Sequence, residues 1–184
     1  GSSSGDVVLN TPPTLQSVGI SPLQPTSQDD ITCLPVSTDI DDDTVTHEFV
    51  WTVNGNPVQT GADDTLQGPF ASLDQVTCAI TPTDGQSFDG TGNSLSATVT
   101  VVNTPPVVTD ITFNPSTITT ETLVEAVVSA EDIDQDTIEL NYDWYVDGTL
   151  EKTGGGNSLS GSIYFQRDQQ VYVVITPSDA LDDG

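Results

Sequence analysis

Carboxylates dominate the chemistry open to this chain. Asp39, Asp41 and Asp43 stand at alternate positions ahead of Asp84 and Asp89, and the pattern returns as Asp132, Asp134 and Asp136 with Asp179 and Asp183. Hard oxygen donors in such numbers are what calcium takes, and without a cation they repel one another. The triplets are not EF-hand loops. The position that needs glycine holds Thr44 or Thr137, and the position of the terminal glutamate holds Val50 or Asp143. The competing reading is structural, because aspartate favours turns, where it caps its own backbone and meets solvent.

Little else in the chain suggests catalysis. The one histidine, His47, is read as lying out of phase with Phe49 and Trp51 and so facing outward, with no nucleophile identified beside it. Carboxylate pairs are plentiful enough to mimic a glycosidase dyad, but they ride on repeated loops and lack the aromatic cleft that sugar binding needs. The chain is therefore read as non-enzymatic.

The 28 acidic residues face only two basic ones, Lys152 and Arg167, for a net charge of −26. That charge repels nucleic acid and anionic membrane surfaces, so neither is expected as a partner. It also implies saline or calcium-rich surroundings that relieve self-repulsion, or else simply serves solubility. No stretch approaches the roughly 20 apolar residues of a membrane span, so no membrane insertion is expected.

The elements that must position these groups follow from an internal repeat. Asn10-Thr11-Pro12-Pro13 recurs 93 residues later as Asn103-Thr104-Pro105-Pro106. The same offset carries Asp39-Ile40-Asp41-Asp42-Asp43-Thr44 onto Asp132-Ile133-Asp134-Gln135-Asp136-Thr137, Trp51 onto Trp144, and Val53-Asn54-Gly55 onto Val146-Asp147-Gly148. Later the offset is 95, since Thr81-Pro82-Thr83-Asp84 matches Thr176-Pro177-Ser178-Asp179 after a two-residue insertion near Tyr164 and Phe165.

Within each repeat the apolar residues alternate with period two, the mark of a half-buried strand. The inward sets are Ile31, Cys33 and Pro35, then Phe49, Trp51 and Val53, then Val76, Cys78 and Ile80; their partners are Val124, Ala126 and Val128, then Tyr142, Trp144 and Val146, then Val171, Val173 and Ile175. No sustained helical period appears between the Pro, Gly, Asn and Asp punctuation. The expectation is an all-β chain of two tandem immunoglobulin-like β-sandwiches, with the three sets on strands B, C and F.

An Asn-Thr-Pro-Pro opening, an Asp-x-Asp-x-Asp loop, a Trp on the next strand and a late Thr-Pro-x-Asp resemble the bacterial immunoglobulin-like, PKD-like and cadherin-like repeats of large secreted surface or filament proteins. The likeness spans nearly the whole chain and implies an extracellular or cell-surface setting and a role in spacing, cell adhesion or assembly. Cys33 on B, Trp51 on C and Cys78 on F follow the Cys, Trp, Cys order of immunoglobulin domains, which implies a disulfide between the sheets and supports export; a reduced buried thiol pair is the alternative. Ala126 and Val173 replace the cysteines in the second repeat, so the bridge is reinforcement there dispensed with. In such a sandwich the B–C and F–G loops share one end, so Asp39, Asp41, Asp43, Asp84 and Asp89 are expected to converge, and likewise their five counterparts, with calcium as the cofactor that would hold them. The cluster at Asp132 is expected beside the joint near Asn103.

The register also assigns the ends. Asp6-Val7-Val8-Leu9-Asn10 aligns with Val99-Thr100-Val101-Val102-Asn103, the last strand of the first repeat. Residues 1–10 are therefore read as a strand G belonging to a preceding or neighbouring repeat, 11–102 as domain 1, and 103–184 as domain 2 lacking its own strand G. The surplus strand, with Val7, Val8 and Leu9 as donor residues, suits the open edge of another copy, so copies of the chain are expected end to end. They are either covalent repeats of one long polypeptide or separate subunits that exchange the strand. A bland boundary with an expression tag at Gly1 to Gly5 is the third reading, and an adhesin module binding a glycan or another surface protein the alternative function.

Overall fold

The structure is a computed structural model that describes residue 5 and residues 8–86 and 90–182. The chain divides into two compact units, Gly1–Val102 and Asn103–Gly184. Each is an antiparallel β-sandwich of the immunoglobulin-like kind.

In unit 1 the strands are β1 (Thr14–Ser21), β2 (Ile31–Thr38), β3 (Thr46–Val53), β4 (Asn56–Gly61), β5 (Thr65–Leu66), β6 (Gln75–Thr83) and β7 (Leu95–Thr100). They form a three-stranded sheet in the order β1-β2-β5 and a four-stranded sheet in the order β4-β3-β6-β7. Strands β2, β3, β6 and β7 correspond to B, C, F and G. The core between the sheets is Ile31, Cys33, Phe49, Trp51, Val76, Cys78 and Ile80, closed by Val99 and Val101. Alternation puts every second residue of these strands on that inner face.

Unit 2 repeats the plan with β8 (Val107–Asn114), β9 (Leu123–Glu131), β10 (Glu139–Val146), β11 (Thr149–Lys152), β12 (Ser158–Ser160) and β13 (Val171–Ser178). Its sheets run β12-β9-β8 and β11-β10-β13. A single helical turn, α1 (Gly161–Tyr164), occupies the place where the repeat offset changes from 93 to 95. The inserted residues thus lie between strands, where they leave the ladders undisturbed.

Local chemistry repeats as faithfully as the topology. Asn54-Gly55 and Asp147-Gly148 make the two-residue turns of the β3–β4 and β10–β11 hairpins, all four residues at positive φ (51°, 77°, 48° and 81°). Such turns match the twist of the flanking strands, and Asn, Asp and Gly tolerate that conformation best. Trp51 Nε1 donates to the Asp63 carbonyl at 3.3 Å and Trp144 Nε1 to the Gly156 carbonyl at 3.2 Å, so each buried indole keeps its N–H bonded.

The two units differ at one edge. In unit 1, β6 carries β7 as a second neighbour, paired from Gln75↔Thr100 to Ile80↔Leu95. The chain then continues through Val101, whose N–H donates to the Asp74 carbonyl and whose carbonyl accepts from Leu73, while Val102 N–H donates to the Pro25 carbonyl. In unit 2, β13 pairs with β10 alone among the described residues. Val76, Cys78 and Ile80 are completely buried, whereas their counterparts Val171, Val173 and Ile175 are only half-buried.

Candidate metal centre and open sheet edge

The bond expected between Cys33 and Cys78 is present. It links β2 to β6 across the sandwich with a Cα–Cα distance of 6.4 Å, and Trp51 pairs with Cys78 in the β3–β6 register. It therefore braces the two sheets of unit 1 at the centre of the core.

His47 corrects the sequence expectation. Residues 47, 49 and 51 share parity, so period two puts the imidazole on the face of Phe49, with ring centroids 6.1 Å apart. Its Nε2 lies 2.8 Å from Ser37 Oγ, so a hydroxyl does stand beside it. Partial burial lowers its pKa by penalising the charged form.

The aspartate triplets fold into tight loops by the same device in both units. Asp39 Oδ1 accepts the N–H groups of Asp41 and Asp43 at 2.8 and 3.4 Å, and Asp132 Oδ1 accepts those of Asp134 and Asp136 at 2.8 and 3.3 Å. Asp42 and Gln135 at the loop apex have positive φ, 62° and 64°. This part of the arrangement is turn capping, as the structural reading of these aspartates anticipates.

Beyond the turns, the Asn-Thr-Pro-Pro openings take part in the site. Thr11 N–H donates to Asp41 Oδ2 at 2.7 Å, and Asn10 Nδ2 donates to Asp84 Oδ2 at 2.9 Å. In unit 2, Thr104 N–H donates to Asp134 Oδ2 at 2.6 Å and Asn103 Nδ2 to Asp179 Oδ2 at 2.8 Å. The opening segment therefore ties the B–C loop to the segment after strand F. The asparagine amides hold the Asp84 and Asp179 carboxyls below the usual carboxylate range, aided by N–H donors from Gln86 and from Asp182 and Leu181 respectively. Asp179 is buried, which such pairing permits.

Not every oxygen is satisfied. Asn103 Oδ1, Asp132 Oδ2 and Asp134 Oδ1 are buried atoms with no hydrogen-bond partner, as is Asp39 Oδ2 in unit 1. Carboxylate oxygens of Asp132, Asp134 and Asp136 all lie within 4.8 Å of one another, and no other such group is found among the described residues. A buried oxygen without a donor is costly, and a hard cation satisfies several at once. The donor set thus fits calcium better in unit 2 than in unit 1. Asn10 and Asn103 escaped the sequence reading as site residues, although their place in the repeat register was visible.

The other assigned residues fall as follows. Asp89, Asp183 and Val7 lie outside the described residues. Val8 and Leu9 form no strand here and are 91% and 65% exposed.

The strand order and repeated register define a tandem immunoglobulin-like β-sandwich chain. No family model matches the sequence, and no curated protein matches it. Among solved structures the chain is similar to the FN1–FN3 domains of chicken CNTN1, with 13% identity and a TM-score of 0.36 over 95% of this chain and 62% of that one. It is also similar to the fibronectin(III)-like modules of Clostridium thermocellum CbhA, with 14% identity and a TM-score of 0.28 over 91% of this chain and 89% of that one. The chain spans less than two thirds of the CNTN1 fragment, and at these values neither neighbour bears on function. The topology supports the immunoglobulin-like sandwich without singling out PKD-like or cadherin-like repeats. No helix among the described residues is long and apolar enough to cross a membrane.

Proposed function

We propose that the chain is a non-enzymatic extracellular structural repeat, a unit of a filament, stalk or spacer whose second sandwich is completed by addition of a strand. One observation carries this reading: among the described residues β13 pairs with β10 alone, and Val171, Val173 and Ile175 are half-buried where their unit 1 counterparts are sealed by β7 and Val101. An exposed strand edge over a strip of core is an aggregation hazard unless another strand covers it. The strand comes from the next repeat of one polypeptide or from a separate copy. The disulfide supports an oxidising, extracellular setting.

The acidic apex of unit 2 belongs to the same reading. Asn103, Asp132, Asp134 and Asp136 would hold calcium, stiffening the loops at that end and relieving the repulsion of a highly acidic chain.

Removing residues 1 to 9 tests the assembly. The expected product is a soluble monomer that no longer polymerises, while native material of the covalent kind should run as one very long polypeptide under denaturing conditions. A truncated chain with undiminished association, from native material of single-chain length, overturns the proposal.

A further inference from the structure

Unit 2 carries on its outer surface the aromatic groups that its core does not use. Every other described Phe, Tyr and Trp packs into one of the two cores, but Tyr145 of β10 and Tyr172 of β13 stand together on the solvent face of their sheet. They are register partners, and their rings stack with centroids 4.9 Å apart and planes 5° from parallel. Leu150 pairs with Tyr145 on its other side, and Asp143 with Val174 forms the next outward pair. Tyr172, Leu150 and Val174 are 37%, 49% and 47% exposed. The fold does not require this surface. In unit 1 the same positions hold Thr52 paired with Thr77, Pro57 for Leu150, and Val50 with Ala79 for Asp143 with Val174. Nor does the surface depend on what lies beside β13: in unit 1, where β7 flanks β6, Thr77 and Thr98 still face solvent at the equivalent place, their hydroxyls 2.8 Å apart. Carboxylates border the rings. Asp143 precedes Tyr145 by two residues on the same face, Asp147 follows in the β10–β11 turn, and Glu151 is exposed on β11. Asp143 accepts hydrogen bonds from Asn141 and Thr153, and Asp147 from Gln169 and Gln170, all neutral groups that bring no compensating charge.

We propose that this face is a docking site for a basic segment of a partner protein, one arginine side chain of which seats on the tyrosine pair. A guanidinium stacks on an aromatic ring and pairs with a carboxylate at its edge, while its aliphatic stem needs apolar support. Tyr145 with Tyr172, Asp143, and Leu150 with Val174 supply the three side by side. The two rings brace each other, so little side-chain freedom is lost when a partner arrives. Charge selects the partner, since a chain of net charge −26 repels anionic molecules and draws cationic ones. Lys152 on the neighbouring β11 is committed to the Ser158 carbonyl, at 2.7 Å. A neutral glycan would stack on the same rings but gain little from the net charge of their border, which favours the basic segment.

The test is calorimetric titration of the full chain with a short peptide that alternates serine and arginine and is blocked at both ends. It is run in about 0.5 M salt, where the diffuse field of the chain is screened within a few ångströms and contact interactions remain. Saturable binding is expected. Tyr145→Thr with Tyr172→Thr, which installs the unit 1 residues and leaves the net charge at −26, should weaken it about 10-fold. Tyr145→Phe with Tyr172→Phe keeps the rings and should bind like the unaltered chain, while Asp143→Asn should weaken binding several-fold. A peptide that does not bind overturns the proposal, and so does one that binds the threonine variant equally, since the attraction is then that of any acidic surface. If the threonine variant did not fold, undiminished binding by Asp143→Asn would overturn it in the same way. Binding of cellohexaose that needs the tyrosines, with none of the arginine peptide, would make the face a glycan platform and overturn the proposal as well.

Discussion

Units 1 and 2 solve the same folding problem with different amounts of reinforcement. Both pack a fully buried tryptophan, bond its indole N–H at the same register position, and turn the corner between third and fourth strands with two residues at positive φ. Unit 1 adds a disulfide and the β7 strand; unit 2 among its described residues has neither. The two units share a framework of six strands among the described residues, and in unit 1 a seventh lies beside strand F, whose inner face is there completely buried. What separates the units, among the described residues, is the disulfide and the sealing of one edge, not the alternation that builds the core.

The sharpest way to break this comparison is to open the sealed edge. Val101→Asp puts a charge where unit 1 is completely buried and should destabilise that unit by about 3–5 kcal/mol. Urea denaturation followed by tryptophan fluorescence would read it, and a loss under about 1 kcal/mol would show that Val101 does not seal the core. Replacing Cys33 and Cys78 together by alanine should cost unit 1 about 2–4 kcal/mol, because the bridge restricts the unfolded chain. Unit 2 should be unaffected, which a two-transition thermal scan can check.

A smaller effect tests the acidic apex. Calcium at about 10 to 100 times its dissociation constant should stabilise unit 2 by about 1.4–2.7 kcal/mol, reversed by chelator and lost in Asp134→Asn. Melting temperatures indifferent to calcium and chelator would exclude the metal. The smallest expected change is in acid. The folded-state pKa values of Asp84 and Asp179 are lowered by Asn10 and Asn103, so their contribution is fully present above the unfolded carboxylate value near 4 and is lost as pH falls through the folded values. Asn103→Ala should flatten the acid limb of unit 2 and leave that of unit 1 unchanged, as measured by melting temperature between about pH 5 and 2.

The alternating sets on β2, β3 and β6 and on β9, β10 and β13 were legible because period two exposes the buried face directly. So was the Cys33–Cys78 bridge, through the resemblance that its order with Trp51 suggested. The two-residue β5 and three-residue β12 were not, since strands so short contain no period to read. His47 was misplaced by its parity, which the spacing from Phe49 already contained. The roles of Asn10 and Asn103 were hidden because an asparagine ahead of Thr-Pro-Pro reads as turn chemistry; only the fold brings it to Asp84 or Asp179. The stack of Tyr145 on Tyr172 depends on two segments far apart in sequence, and period alone cannot join them.

The disulfide changes what happens when the chain is pulled. A fully extended residue adds about 3.4 Å of length, so the 45-residue separation between Cys33 and Cys78 withholds about 150 Å of slack when unit 1 gives way under tension. Force would pass through the sulfur bridge and pay out only the segments on either side of it. Unit 2, with no such clasp among its described residues, would unravel along its length. Across the two units the response to tension would thus be graded, one stiff link followed by one extensible link, and a reducing agent would erase the difference.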